Sequence, residues 1–150
     1  MMAVKIANGL SDRGFHSYLC VTREEGALKN IINGKVGYCF LNKKRTISLG
    51  SFLKLKRYIV RNEITHIHAH SSSFFIASIM KLLMPKIVIV WHDHYGNSES
   101  LEKRPSKLIR FLSRNFKAII SVNSLLKNWA ENNLHCINVL YIPNFASIET

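Results

Sequence analysis

The sequence predicts an α/β protein built on a doubly wound, Rossmann-like parallel sheet, on three observations. Short β-branched runs alternate with helical patterns along the whole chain, as they do when crossover helices link parallel strands. The run Lys86 to Trp91 is almost continuously apolar, as a strand covered on both faces requires. Five of the seven histidines fall where two of these strands end, in Ile64-Thr65-His66-Ile67-His68-Ala69-His70 and in Trp91-His92-Asp93-His94. In an open α/β sheet the crevice beyond the carboxyl ends of the strands is where ligands bind.

The elements follow in order. Val4, Ala7 and Leu10 recur at helical spacing and Gly14 follows as a C-cap, so a helix comes first. His16 to Val21 reads as a strand, Ala27 to Asn33 as a helix and Val36 to Leu41 as a second strand. A helix from Leu49 to Asn62 is expected to bury Leu49, Phe52, Leu53 and Ile59 and to turn Lys54, Arg57 and Arg61 outward. Ile64 to His68 is the third strand. The helix after it, capped by Ser71 to Ser73 and stopped by Pro85, is apolar nearly all round and is expected to be deeply buried. Then come the strand Lys86 to Trp91, a polar loop from Asn97 to Arg104, a helix from Pro105 to Asn115 and a strand from Ala118 to Val122. Asn123 or Ser124 can cap a helix carrying Leu125, Leu126, Trp129 and Ala130, and Val139 to Ile142 forms the last strand. No repeat or interdomain linker interrupts the pattern. It begins with a helix, however, where such folds begin with a strand and a phosphate-binding turn.

With 150 residues, 47% of them hydrophobic, the chain has the size of one domain. No apolar run approaches the roughly 20 residues that span a bilayer, and the start lacks the apolar region of a signal peptide, so a cytoplasmic location is expected. Cys20, Cys39 and Cys136 are widely spaced and read as reduced packing residues. The 21 Lys and Arg against 9 Asp and Glu give a formal charge of +12, which favours phosphates or anionic lipid. Lys103, Lys107, Arg110, Arg114 and Lys117 fall on one helical stripe, with Leu108, Ile109, Leu112 and Phe116 opposite and Phe111 on the border. That is the pattern of a helix lying on an anionic membrane, although a solvated face over a packed helix explains it too. Nucleic acid is not expected as a partner, because no reading module accompanies the charge.

His66, His68 and His70 alternate and so share a face of a regular strand. With His92 and His94 they make a zinc-type donor set. Asp93 is the only nearby acid to orient the rings, and mid-strand side chains pack more often than they ligate, so no metal is expected. His66 and His68 read as core histidines with one satisfied nitrogen, while for His70 and His92, at the exits, both packing and substrate contact stay open. The chain has no nucleophile elbow, no dinucleotide fingerprint and no Walker A sequence.

Four segments together resemble glycosyltransferase family 4. Ala3 to Phe15, ending Asp12-Arg13-Gly14-Phe15, is similar to that family's first helix and its Arg-Gly-His close. Ile64 to His70 resembles the strand ending in His or His-Ser, Trp91-His92-Asp93 the Val-x-His-Asp exit, and Ile142-Pro143-Asn144-Phe145 the Ile-Pro-Asn-Gly segment that closes the N-terminal domain. The resemblance spans essentially the whole chain. It implies the N-terminal, acceptor-side domain of a GT-B enzyme that transfers a sugar from a nucleotide donor, with retention and without a metal, in cell-surface polysaccharide or glycan synthesis. By position, His92 would be the catalytic residue contacting the transferred sugar. His70 and Ser71 would line the acceptor side, with Asp93, Tyr95 and Asn123 around the cleft and Asn144 towards the partner domain.

The nucleotide sugar would be a co-substrate rather than a cofactor, and a glycan or lipid-linked acceptor the partner, with peripheral attachment to the inner membrane face through the basic stripe. The family's first strand and Gly-rich turn do not precede Met1, and the donor domain would begin where the chain stops. Residues 1 to 150 are therefore expected to be a partial N-terminal domain, six parallel strands lacking the central one, inactive by itself. Two other readings stand beside this one: a non-catalytic basic module for membrane or phosphorylated glycan, and a metal-dependent hydrolase using the histidines.

Overall fold

The computed structural model describes residues 1 to 144; Phe145, the last residue of the Ile-Pro-Asn-Phe segment, lies outside the described residues. The chain divides into two compact units, Met1–Glu63 and Ile64–Thr150. Its sheets are all parallel, and the six expected strands are present in two sheets, one of two strands and one of four.

In the first unit, helix α1 (Met2–Asp12) buries Val4, Ala7 and Ser11 on one face. It ends at Gly14, whose φ of 84° lies in the left-handed region and whose N–H donates to the Ser11 carbonyl at 3.0 Å. Asn8 on this helix holds the segment beyond it. Its amide nitrogen donates to the Ile31 carbonyl at 2.8 Å, and its oxygen accepts the Asn33 N–H at 2.9 Å. The predicted helix there is only a 3₁₀ turn, Ala27–Ile31.

Strands β1 (Tyr18–Val21) and β2 (Gly37–Phe40) pair with Cys20 opposite Cys39. Helix α2 (Leu49–Arg61) is capped by the Ser48 hydroxyl and buries Phe52, Leu55 and Ile59. Leu49 and Leu53, expected inside, are exposed. Leu49 sits in the first turn, where the stripe ends, and Leu53 is rotated about 100° from Phe52, off the buried line.

In the second unit, β3 (His66–His70), β4 (Val88–Asp93), β5 (Ala118–Ser121) and β6 (Val139–Tyr141) stand side by side in chain order. Successive right-handed crossovers in one direction place the connecting helices on a single face. Accordingly α3 (Phe74–Leu83) packs on β3, β4 and α4 (Lys107–Leu112), and α5 (Ser124–Asn133) packs on β5 and β6. Beneath them the odd-numbered strand residues Ala69, Ile89, Trp91 and Ile119 are buried with Met80, Leu126 and Ala130. The Trp91 ring meets Phe74 edge-on at 5.8 Å, and its indole N–H donates to the Ser71 carbonyl at 2.9 Å.

Three expectations need correction. A helix laid on one sheet face buries only a stripe, so α3 buries Ile76, Ala77, Ser78 and Met80 while Leu82 and Leu83 are exposed. No serine side chain caps it; Ser71–Ser73 form a 3₁₀ turn instead. The helix predicted from Pro105 to Asn115 is regular only over α4 and tightens into a 3₁₀ turn at Ser113–Asn115, where the Ser113 hydroxyl donates back to the Arg110 carbonyl at 2.8 Å.

Candidate functional site

The ladder between β3 and β4 decides which histidines meet. β3 lies two residues later than predicted and β4 runs on to Asp93, so His70 and His92 lie within the strands and pair directly in register. Alternation then puts the even-numbered residues His68, His70 and His92 on the face opposite Trp91, and His94 continues the line beyond β4. The rings form a stack: centroids are 4.6 Å apart for His68 and His70, 5.2 Å for His68 and His92, 5.0 Å for His70 and His92, and 4.1 Å for His92 and His94. His70 Nδ1 and His94 Nε2 share a hydrogen bond at 3.0 Å. One nitrogen from each of His68, His70 and His92 lies within 4.8 Å of the other two.

His92 is 3% exposed, and neither of its ring nitrogens has a partner among the described residues; His68 Nε2 is buried and unpartnered as well. Burial depresses the basicity of all four rings, and their like-charged neighbours add to it for His68, His70 and His92. His92 falls to about 4 and His70 to about 3, so the group is neutral at physiological pH. Proton uptake near neutrality, the ordinary property of an imidazole, therefore does not belong to His70 or His92. His66 does not join the cluster. It is exposed, at the amino end of β3, with Nδ1 against the Thr65 hydroxyl at 2.8 Å, rather than in the core as expected.

The opposite face carries a second constellation. Asp93 is 1% exposed, and both its oxygens accept from Arg104, Oδ2 from Nη1 at 2.7 Å and Oδ1 from Nη2 at 2.9 Å. Oδ1 also accepts the Tyr95 N–H at 3.1 Å. The guanidinium lies 4.4 Å from the Tyr95 ring, 4.4 Å from Trp129 and 5.4 Å from Trp91. Asp93, expected around an open cleft, is instead buried against Arg104, because an odd-numbered residue of β4 faces the helices, while Tyr95, half-buried and two residues beyond β4, lays its ring on the same guanidinium. Arg104 was missed in the sequence, where it reads as the end of a polar loop. Its only signal was an acid at the end of an apolar strand that would need a cation.

The remaining candidates separate. Ser71 is exposed with φ of 48°, and its carbonyl is held by Trp91. Asn123 caps α5, its oxygen accepting the Leu126 N–H at 2.8 Å, just past the end of β5. Asn144 is exposed beyond β6, two strands along the sheet from β4. Lys103, Lys107, Arg110, Arg114 and Lys117 are all exposed. Leu108, assigned to the covered side, is 51% exposed, and Phe111 is 57% exposed with the Arg114 guanidinium 4.4 Å above its ring. Only Ile109, Leu112 and Phe116 of that group are buried. No described helix is long and apolar enough to cross a membrane.

A comparison with curated proteins finds no match. The family model described as Glycosyltransferase Family 4 matches residues 1–150, the entire sequence. With a parallel α/β architecture and polar side chains gathered where β3 and β4 end, the chain belongs to glycosyltransferase family 4.

Proposed function

We propose that this chain is the acceptor-side domain of a nucleotide-sugar-dependent, retaining glycosyltransferase of cell-surface polysaccharide or glycan synthesis, with His92 contacting the transferred sugar. The observation that carries the proposal is His92 itself, nearly fully buried with two ring nitrogens that have no partner among the described residues. Leaving buried polar atoms unpaired costs about 1–3 kcal/mol each, a cost that a ligand's hydroxyl groups would remove. A neutral imidazole offers one donor and one acceptor, so it can donate its N–H to one sugar hydroxyl and accept a hydrogen bond from another at its bare nitrogen. As the bond from the anomeric carbon to the leaving phosphate lengthens, those bonds stabilise the developing oxocarbenium-like charge without a proton changing hands.

His70, in register with His92, and Ser71 after it would line the acceptor side. Asp93, Arg104 and Tyr95 hold the backbone around His92 rather than touching sugar. Asn123 and Asn144 would border the cleft. The nucleotide sugar is the co-substrate, bound by a donor domain, and the chemistry calls for no cofactor.

Leu108 and Phe111, exposed among five cations, support a peripheral location on the anionic inner face of the membrane, where a lipid-linked acceptor would be presented. The same surface would serve a non-catalytic binding module, and transfer activity separates the two. The test joins this chain to a family donor domain and measures sugar transfer and donor hydrolysis. His92→Ala should lower turnover about 10²-fold or more, the usual effect of removing one donor at a transition state, when assayed well below the variant's own unfolding transition. A chelator should leave turnover undiminished. Full activity in His92→Ala, or loss with a chelator that zinc restores, would overturn the assignment.

A further inference from the structure

We propose that His68, His70 and His92 form a binding site for a divalent transition-metal ion of the zinc class, and that the ion antagonises rather than supports chemistry at His92. The metal site rests on the geometry of the three rings and their unpartnered nitrogens, and the antagonism on the proposed role of His92. Parallel pairing puts His70 beside His92, and two-residue alternation puts His68 on the same face, so three ligands come from two rigid strands. Their nitrogens, within 4.8 Å of one another, would have to close to the roughly 3.4 Å mutual spacing that tetrahedral bonds of about 2.0–2.1 Å impose, with the stacked rings turning so that their lone pairs converge.

The atoms are available as well as close. Among the described residues, His68 Nε2 and both nitrogens of His92 are buried without partners. His94 acts behind them: its Nε2 holds His70 Nδ1 at 3.0 Å, which leaves His70 Nε2 as the nitrogen to present.

The donor set selects the ion. Three imidazoles suit zinc, copper or nickel, whereas magnesium and calcium require oxygen ligands. The nearest acid, Asp93, faces the other side of the sheet with both oxygens held by Arg104. An ion coordinated by His92 would occupy the nitrogens proposed to meet sugar, so occupancy should inhibit transfer.

The experiment titrates the intact chain with Zn²⁺ against a chromophoric chelator, and with Co²⁺ to read the intense visible bands of a tetrahedral nitrogen site. One ion per chain is expected, with affinity lowered at least 10-fold in His68→Ala, His70→Ala and His92→Ala, about 10-fold in His94→Ala, and unchanged in His66→Ala and His135→Ala. Because cluster variants can disturb folding, ¹⁵N shifts of the histidine rings in the unmodified chain provide a second reading. Zinc should move those of His68, His70 and His92 and leave those of His16, His66 and His135 in place. Absence of stoichiometric binding, or binding that follows His66, His135 or His16, would overturn the proposal. Sugar transfer plays no part in these readouts, so failure here leaves the His92 assignment standing; failure of that assignment leaves the metal site standing and removes only the antagonism.

Discussion

Replacing Arg104 by Met should destabilise the protein severely, although Arg104 belongs to a loop. The guanidinium is 8% exposed in its side chain, its partner carboxylate 1%, and two hydrogen bonds of 2.7 and 2.9 Å join them. Methionine has comparable length and is apolar, so the variant keeps much of the packing against Tyr95 and Trp129 and removes the charge. Asp93 is then left as a buried carboxylate with the Tyr95 N–H as its remaining partner. Breaking one side of a buried pair costs about 3–5 kcal/mol. The lost cation–π contacts fall within that range rather than adding to it, since the same desolvated charge makes both.

At about 2–4 °C per kcal/mol for a chain of this size, the melting temperature should fall by about 6–20 °C. The chain's two tryptophans, Trp91 and Trp129, both lie against the guanidinium, so intrinsic fluorescence during urea unfolding reports the clamp directly. The double variant Asp93→Asn, Arg104→Met removes both charges and should recover at least half of the loss. A single variant within 1 kcal/mol of the parent, or a double variant no better than the single, would refute the reasoning.

Two further outcomes are expected. His92 and His70 have folded pKa values of about 4 and about 3 against an ordinary 6.5, so the unfolded chain binds more protons over that interval. The stability they contribute is present above about pH 6.5 and is lost as pH falls towards the folded values. Unfolding in urea should therefore show about 4 kcal/mol less stability at pH 5 than at pH 7, and a flat profile would contradict neutral burial of the cluster. The surface of α4 should bind vesicles rich in anionic lipid in preference to neutral ones, less so as salt shortens screening to about 10 Å at 0.1 M. Lys107→Glu with Arg110→Glu should abolish the preference in a co-sedimentation assay, and binding indifferent to lipid charge would mark the stripe as a solvated face.

Periodicity carried most of the architecture. Alternating strand and helix signals, Gly14 at the first helix end, Asn123 at the start of α5 and the apolar run of β4 are properties of residues near in sequence, and each element forms within a few residues of where they place it. The family, too, was legible, because its four motifs sit on strand ends and helix starts whose order is the order of the chain.

What the sequence left open depends on partners distant along the chain. The ladder register made His70 and His92 neighbours and left His66 in solvent; an alternating string of histidines is the same string in any register. The face on which Asp93 emerges gave it to Arg104, eleven residues away across an irregular loop that no periodicity constrains. Helix exposure behaved likewise, since Leu108 and Leu53 fit an apolar stripe by spacing but lie outside the strip that the neighbouring elements cover. The ionisation of the histidines was decided last and least locally. Isolated imidazoles titrate near neutrality, and desolvation in a packed stack, with like-charged neighbours, keeps His70 and His92 neutral.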